Sequence, residues 1–221
     1  MSIVIAIDGP AGAGKSTIAR RVAAQLGYTY IDTGAMYRAV ALWALRENLP
    51  VNDAHRMEQL ADAAEIQLIT ETSRVLLNGE DVSDEIREAR VSEAASQVAT
   101  IAGVRRALVS KQRGIAGAAN VVMEGRDIGT VVFPDATLKI FLDADQGERV
   151  RRRVDQLGAV ADAVRQQIAE RDRRDTQRAE APLTQAPDAV YLDSTSLSIE
   201  EVGEAIVKMI RARVTNGKAH D

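Results

Sequence analysis

Ile3-Val4-Ile5-Ala6-Ile7-Asp8-Gly9-Pro10-Ala11-Gly12-Ala13-Gly14-Lys15-Ser16-Thr17 is the stretch from which the rest of the chain can be read. Its first five residues form a short apolar run rich in β-branched side chains, which reads as a buried strand. Asp8 ends the run, and Gly9 to Ser16 fits G-x-x-x-x-G-K-[ST] without a gap. Ile18, Val22 and Leu26 then recur at helical spacing. Strand, glycine-rich turn and helix in this order suit an anion. The glycines let the turn expose backbone N–H groups, and the helix begins with free N–H groups and the positive end of its dipole facing the same point. Gly9, Pro10, Ala11, Gly12, Ala13, Gly14, Lys15, Ser16 and Thr17 are therefore expected to line the phosphates of a nucleoside triphosphate. Lys15 would reach the β- and γ-phosphates, and Ser16 would offer a hydroxyl to Mg²⁺.

Composition narrows the setting. The 221 residues suffice for one good core with a small insert, and 46% apolar and 27% charged residues are ordinary for a soluble globular protein. Aromatic residues make up only 3%, so the core must be aliphatic. A net charge of −4 argues against nucleic acid or an anionic membrane as a partner. With no cysteine there is neither a disulfide framework nor a thiolate zinc site. No apolar run reaches a membrane-spanning length, and the opening strand does not read as a signal peptide, so a cytoplasmic protein is expected. The two histidines, His55 and His220, lie away from every motif, which disfavours histidine general-base chemistry.

Along the chain, Gly27 is a natural end for the first helix, and Tyr28 to Ile31 is a second strand. Asp32-Thr33-Gly34 breaks that strand before a helix from Ala35 to Leu45, followed by another from the N-cap Asp53 to Ala64. Ile66–Ile69 and Arg74–Leu77, with the turn pair Asn78-Gly79, predict a small antiparallel insert. Val91 to Gly117 reads as two helices broken near Gly103. Val121–Met123, Leu138–Leu142 and Val190–Leu192 are three further strands. A helix carrying Arg149 and Arg153, a highly charged helix from Val160 to about Arg178, and a last helix from Ile199 to Arg213 complete the pattern. Ser198 and Glu201 form a capping box for that last helix, and the tail from Val214 reads as frayed. Five strands alternating with helices predict an α/β fold with a five-stranded parallel sheet covered on both faces.

The triphosphate loop alone does not choose a reaction. No Asn-Lys-x-Asp guanine-reading motif occurs, which disfavours a GTPase switch. Polar groups instead collect where the strands end, at Asp8, at Asp32-Thr33-Gly34 and at Glu124-Gly125-Arg126-Asp127, and in an open α/β sheet the ligand crevice lies outside those ends. Glu124 is the candidate acid for Mg²⁺ or its waters. Arg149 and Arg153 are four apart and share a helix face. Arg171, Arg173, Arg174 and Arg178 crowd a helix with Asp172 and Asp175, which alone would read as a solvated, ion-paired face. Phosphoryl transfer gives such arginines a second use, because negative charge spread over transferring oxygens must be neutralised and water excluded.

Four motifs in order carry a more specific signal: IDGPAGAGKST at Ile7–Thr17, DTGAMYR at Asp32–Arg38, EGRDIGTVVFPDA at Glu124–Ala136 and RDRRDTQRAEAPL at Arg171–Leu183, with the tail LDSTSLSIEEV at Leu192–Val202. Together they resemble the bacterial cytidylate kinases, a family of nucleoside monophosphate kinases, over Ile3 to about Arg213. Thr33 stands where the family often has Ser, and Glu124 where some members have Asp, each keeping its functional group. The resemblance implies a P-loop core (residues 1–33, 104–150 and 180–214), a monophosphate-binding subdomain with the insert (34–103) and a short lid (151–179). It implies that Arg38, Arg126 and Arg178 hold the acceptor phosphate or bridge the two phosphates, a task suited to bidentate guanidinium groups. Asp127 and Arg105 would read the cytosine edge, with Thr33 adding a hydroxyl near the nucleotide. Ser96, Arg171 and Asp175 would reach the ribose, and Arg149 and Arg153 would lie against ATP. Lys15, Arg126, Arg153 and Arg178 are the implied catalytic set, with Mg²⁺ on Ser16 and, through water, Glu124. The expected reaction is ATP + CMP (or dCMP) to ADP + CDP (or dCDP), by a monomer. A P-loop kinase for UMP or a non-nucleotide alcohol, and a non-catalytic nucleotide-binding module, are the competing readings.

Overall fold

The computed structural model describes residues 2–70, 72–117, 119–158 and 160–217. Elements follow in the order β1 (Val4–Asp8), α1 (Lys15–Leu26), β2 (Thr29–Asp32), α2 (Thr33–Arg46), α3 (Ala54–Ala63), β3 (Ile66–Ile69), β4 (Arg74–Leu77), β5 (Glu80–Asp81), α4 (Ala89–Val98), α5 (Ala102–Ala116), β6 (Val121–Gly125), β7 (Leu138–Asp143), α6 (Gln146–Leu157), α7 (Ala161–Gln177), β8 (Val190–Asp193) and α8 (Ile199–Gly217). One π-helical turn, Ile128–Val132, lies between β6 and β7. Two compact units partition the chain: residues 1–30, 118–177 and 181–221 form one, and residues 31–117 and 178–180 the other.

The five-stranded sheet has the order β2-β6-β1-β7-β8, as expected of an α/β fold; Thr29 and Tyr30 of β2 belong to the first unit and Ile31 and Asp32 to the second. β1 pairs in parallel with β6 and with β7, and β7 with β8. All five residues of β1 and of β6 are buried, which is what a strand covered on both faces requires. Ile5, Ile7, Val122, Leu138 and Ile140 pack with Ile18 and Val22 of α1 and with Val202, Ile206 and Ile210 of α8. Each such side chain contributes roughly 1.5–3 kcal/mol when fully buried, so aliphatic residues can hold this sheet without aromatics. α1 ends at Gly27, whose φ of 66° is left-handed, with the Tyr28 N–H returning to the Ala23 carbonyl at 2.9 Å.

The second unit has its own aliphatic core, built from Met36, Val40, Leu42, Met57, Val91, Val98, Val104 and Leu108 among others. β3, β4 and β5 form the antiparallel insert, with Ile66 opposite Leu77 and Leu77 opposite Glu80. The third strand, β5, extends the two-stranded insert expected from the apolar runs, because Asn78 at φ 50° and Gly79 at φ 83° fold the chain straight back.

Three local expectations change. Asp32-Thr33-Gly34 is not a break between strand and helix: Asp32 ends β2 and caps α2 at once, accepting the Ala35 N–H at 2.9 Å. The helical break expected near Gly103 falls at residues 99–101, so Gly103 lies inside α5. α8 continues through Gly217, beyond the frayed start expected at Val214, while the last residues of that tail lie outside the described residues. The capping box is formed as expected, with Ser198 N–H donating to Glu201 at 2.8 Å and Glu201 N–H to Ser198 Oγ at 3.2 Å. Among the described residues, no helix is long and apolar enough to cross a membrane.

Candidate active site

The loop between β1 and α1 turns through three glycines at positive φ, Gly9, Gly12 and Gly14. Gly9 sits at φ 150°, and a Cβ there would run into the Leu142 carbonyl of β7. Gly14 caps α1 at φ 89°, a left-handed conformation, and no side chain of this cap residue takes the first N–H groups of the helix. Lys15 follows at once. Its ammonium is buried and donates to the Pro10 carbonyl at 2.7 Å, across the mouth of the loop. Burial pulls its pKa down to about 7, helped by the nearby positive charges of Arg126 and Arg171 and opposed by Glu124 and Asp175. A phosphate arriving here would supply the anion that this lysine lacks.

β6, the parallel neighbour of β1, delivers the next group. Glu124 stands opposite Ile7, is buried, and accepts the Tyr30 hydroxyl at 2.6 Å. The Arg20 guanidinium covers the Tyr30 ring 5.1 Å from its centroid. Ser16, one residue into α1, is exposed. A serine hydroxyl and a carboxylate are hard oxygen donors of the kind Mg²⁺ takes. Among the described residues no cluster of three or more His, Cys, Asp or Glu is poised for a metal.

Arg126 follows β6, with its Nε on Asp175 of α7 at 2.8 Å and its Nη1 on the Gly125 carbonyl at 3.1 Å. Burial works against its charge, but Asp175, Glu124 and Asp172 outweigh it and hold the guanidinium above its ordinary pKa. Asp127 is buried beside it. The structure thus brings Lys15, Glu124, Arg126, Arg171 and Asp175 within one electrostatic neighbourhood of the first unit.

α6 and α7 add a second cationic side. A small apolar contact of Val150, Val164 and Ile168 packs the two helices. Arg149 is buried, donating to the Ala11 carbonyl at 3.0 Å, to the Ala144 carbonyl at 3.1 Å and to Asp172. Asp172 in turn accepts the Ala11 N–H at 3.2 Å. The helical spacing that paired Arg149 with Arg153 left a third choice open. Arg152, which sequence reasoning missed, donates to the Ala13 carbonyl at 3.3 Å and to the Ser194 carbonyl at 2.6 Å. Arg153 bonds Gln156 on its own helix at 2.8 Å. Exposed Arg173 and half-buried Arg174 both pair with Glu170 on their own helix.

In the second unit, Asp32 holds Arg38 at 2.8 Å as well as capping α2. Thr33 is buried at the start of that helix, and Ser96 is buried on α4. Arg105 on α5 lies over the Tyr37 ring, 5.8 Å from its centroid, and its Nη1 donates to the Ala99 carbonyl at 3.4 Å. Arg178 is buried within the short segment that belongs to this unit.

A glycine-rich loop that opens a helix and holds a buried lysine at its mouth, beside an acid and arginines on neighbouring elements, is the site of a P-loop phosphotransferase. The particular family is set by comparison. A model of the cytidylate kinase family matches residues 5–212. The chain is 60% identical to a cytidylate kinase of Solibacter usitatus, covering 98% of this chain and 95% of that one. It is 52% identical to a cytidylate kinase of Pelotomaculum thermopropionicum, covering 97% and 96%. A gluconokinase structure from Sinorhizobium meliloti overlays with a TM-score of 0.54 at 13% identity, covering 99% of this chain and 97% of that one, a likeness of fold alone. The chain belongs to the cytidylate kinase family.

Proposed function

We propose that the chain transfers the γ-phosphoryl group of ATP to CMP or dCMP, giving ADP and CDP or dCDP, with Mg²⁺, as a cytoplasmic monomer of pyrimidine nucleotide metabolism. The observation that carries this reading is the near full-length 60% identity to a cytidylate kinase, together with Lys15 held buried at the mouth of a phosphate loop. In this reading the loop N–H groups and Lys15 hold the donor phosphates. Arg149 and Arg153 belong to the ATP side, and Arg152 joins them through its bond to the Ala13 carbonyl. Ser16 and Glu124 would hold Mg²⁺, Glu124 through water, with Tyr30 fixing the carboxylate. When bound, the ion would neutralise β- and γ-oxygens.

On the acceptor side, Arg38, Arg126 and Arg178 would hold phosphate, and Thr33, Ser96, Arg105, Arg171 and Asp175 would meet the nucleoside. Asp127 would accept the exocyclic amine of cytosine. Uracil lacks that amine and would leave the buried acid unpaired. No side chain need remove a proton, since the acceptor phosphate is already nucleophilic at neutral pH. Positioning and charge neutralisation supply the rate. The segment 151–179 would act as a lid that excludes water from the transfer.

A coupled ADP-release assay over CMP, dCMP, UMP, AMP and shikimate tests the acceptor. CMP and dCMP should be turned over far more efficiently than the rest. CMP no better than AMP would remove the cytosine assignment, and tight ATP binding with no turnover on any acceptor would make the chain a binding module.

A further inference from the structure

Asp8 closes β1 and belongs by sequence to the phosphate-binding motif, yet its side chain is engaged elsewhere. Oδ1 accepts the Ile128 N–H at 2.8 Å and Oδ2 the Gly129 N–H at 2.7 Å, both bonds buried. These two amides open the π-helical turn that follows Arg126 and Asp127. The turn closes on itself through the Val132 N–H to the Asp127 carbonyl at 3.2 Å and the Phe133 N–H to the Ile128 carbonyl at 2.7 Å. The first N–H groups of a helical turn have no partner within it, so an outside acceptor must serve them. At the same glycine, Lys139 of β7 packs so closely that a Cβ on Gly129 would meet its stem at 3.1 Å and Asp8 Oδ2 at 3.4 Å. Lys139 is itself held by Asp188 at 2.8 Å. The backbone leaving Asp127 is thus held by a carboxylate and packed against a lysine stem beside it.

We propose that Asp8 is a positioning residue for acceptor recognition: its two oxygens fix the Ile128–Gly129 backbone and so the direction in which Arg126 and Asp127 leave β6. The proposal rests on the reading of Asp127 as the reader of the cytosine amine. It assigns a residue of the donor motif to the acceptor side. A carboxylate offers two acceptors side by side, whereas asparagine offers one acceptor and one donor, which would face an N–H with an N–H. Burial raises the Asp8 carboxyl to about 6, against the pull of the two N–H groups. Asp127 after β6 adds repulsion, Lys15 of α1 adds attraction, and Lys139 of β7 lies against the same turn. Protonation would put a donor where the clamp needs an acceptor.

The test is steady-state kinetics on the full chain with CMP and ATP varied in turn. Asp8→Asn should raise KM for CMP about tenfold and leave KM for ATP within about twofold, with a smaller preference for CMP over UMP. Equal losses for both substrates, or an unchanged KM for CMP, would overturn the proposal. Asp127→Asn run in parallel separates the two ideas. If it raises KM for CMP while Asp8→Asn does not, only the positioning role falls. If Asp127→Asn is silent, the acceptor reading falls and takes the positioning role with it. Amide exchange by NMR on the wild-type chain serves if Asp8→Asn does not fold. Ile128 and Gly129 should be strongly protected near about pH 7.5 and lose protection as acid protonates the Asp8 carboxyl, and unprotected amides at these two positions near about pH 7.5 would overturn the clamp.

Discussion

Lys15 shows what a single residue gives up for its chemistry. Its ammonium is buried with one carbonyl acceptor, and burial with the charges of Arg126 and Arg171 outweighs the attraction of Glu124 and Asp175, so the charged form is penalised in the folded protein. The sign of the linkage follows. The folded pKa of about 7 lies below the unfolded 10.5, so between these values the unfolded chain binds a proton that the folded chain does not, and stability climbs with pH. Below about pH 7 both states are protonated and the penalty is complete. Lys15→Met should therefore abolish turnover while raising the ligand-free Tm by roughly 3–8 °C near pH 7, with the gain shrinking towards about pH 10. Calorimetry across pH reads this directly, and a lowered Tm would show that the bond to Pro10 outweighs the buried charge. The lysine and its loop were legible in the sequence because the motif is contiguous. Asp8 lies in the same motif, but its partners are 120 and 121 residues away and no spacing rule could name them.

At the scale of elements, α6 and α7 brace the loop rather than only flank it. Asp172 accepts the Ala11 N–H and Arg149 donates to the Ala11 carbonyl, while the two side chains pair with each other. Both backbone groups of one loop residue are held by a ring of charge-assisted bonds, which preorganises the loop for its anion. Asp172→Ala should raise KM for ATP roughly tenfold and leave KM for CMP within about twofold. A lower KM for ATP would instead mean that Asp172 competes with ATP for the loop amide. The sequence presented Asp172 as one charge in a solvated run, and Glu170 with exposed Arg173 fits that description. What separates Asp172 from them is which side of α7 faces the loop, and that is set by the apolar contact of Val150, Val164 and Ile168. Arg152 was hidden for a related reason. Positions three and four along a helix share a face with Arg149, and periodicity cannot choose between them.

For the whole molecule, each unit has a large aliphatic core, and among the described residues these two cores share no residue. Leu42 in one and Leu138 in the other are fully buried. Leu42→Ala and Leu138→Ala should each lower the unfolding free energy by about 2–5 kcal/mol, a large share of a typical total of about 5–15 kcal/mol. The double variant should be additive within about 0.5 kcal/mol by urea unfolding, and a larger coupling would show that the cores depend on each other. By itself the sequence determined what is local or periodic: the phosphate loop, the alternation of strands and helices, the antiparallel insert, the capping box and the run of motifs that marks the family. Contiguous motifs and short repeats carry their own geometry, because backbone sterics and one-face burial fix it within a few residues. Only the tertiary structure decided which oxygens serve which amides: Asp8 on Ile128 and Gly129, Asp172 on Ala11, Tyr30 on Glu124, Arg152 on Ala13. Those pairings depend on strand order and helix rotation, which come from packing the whole chain and leave no trace in the spacing of any one segment.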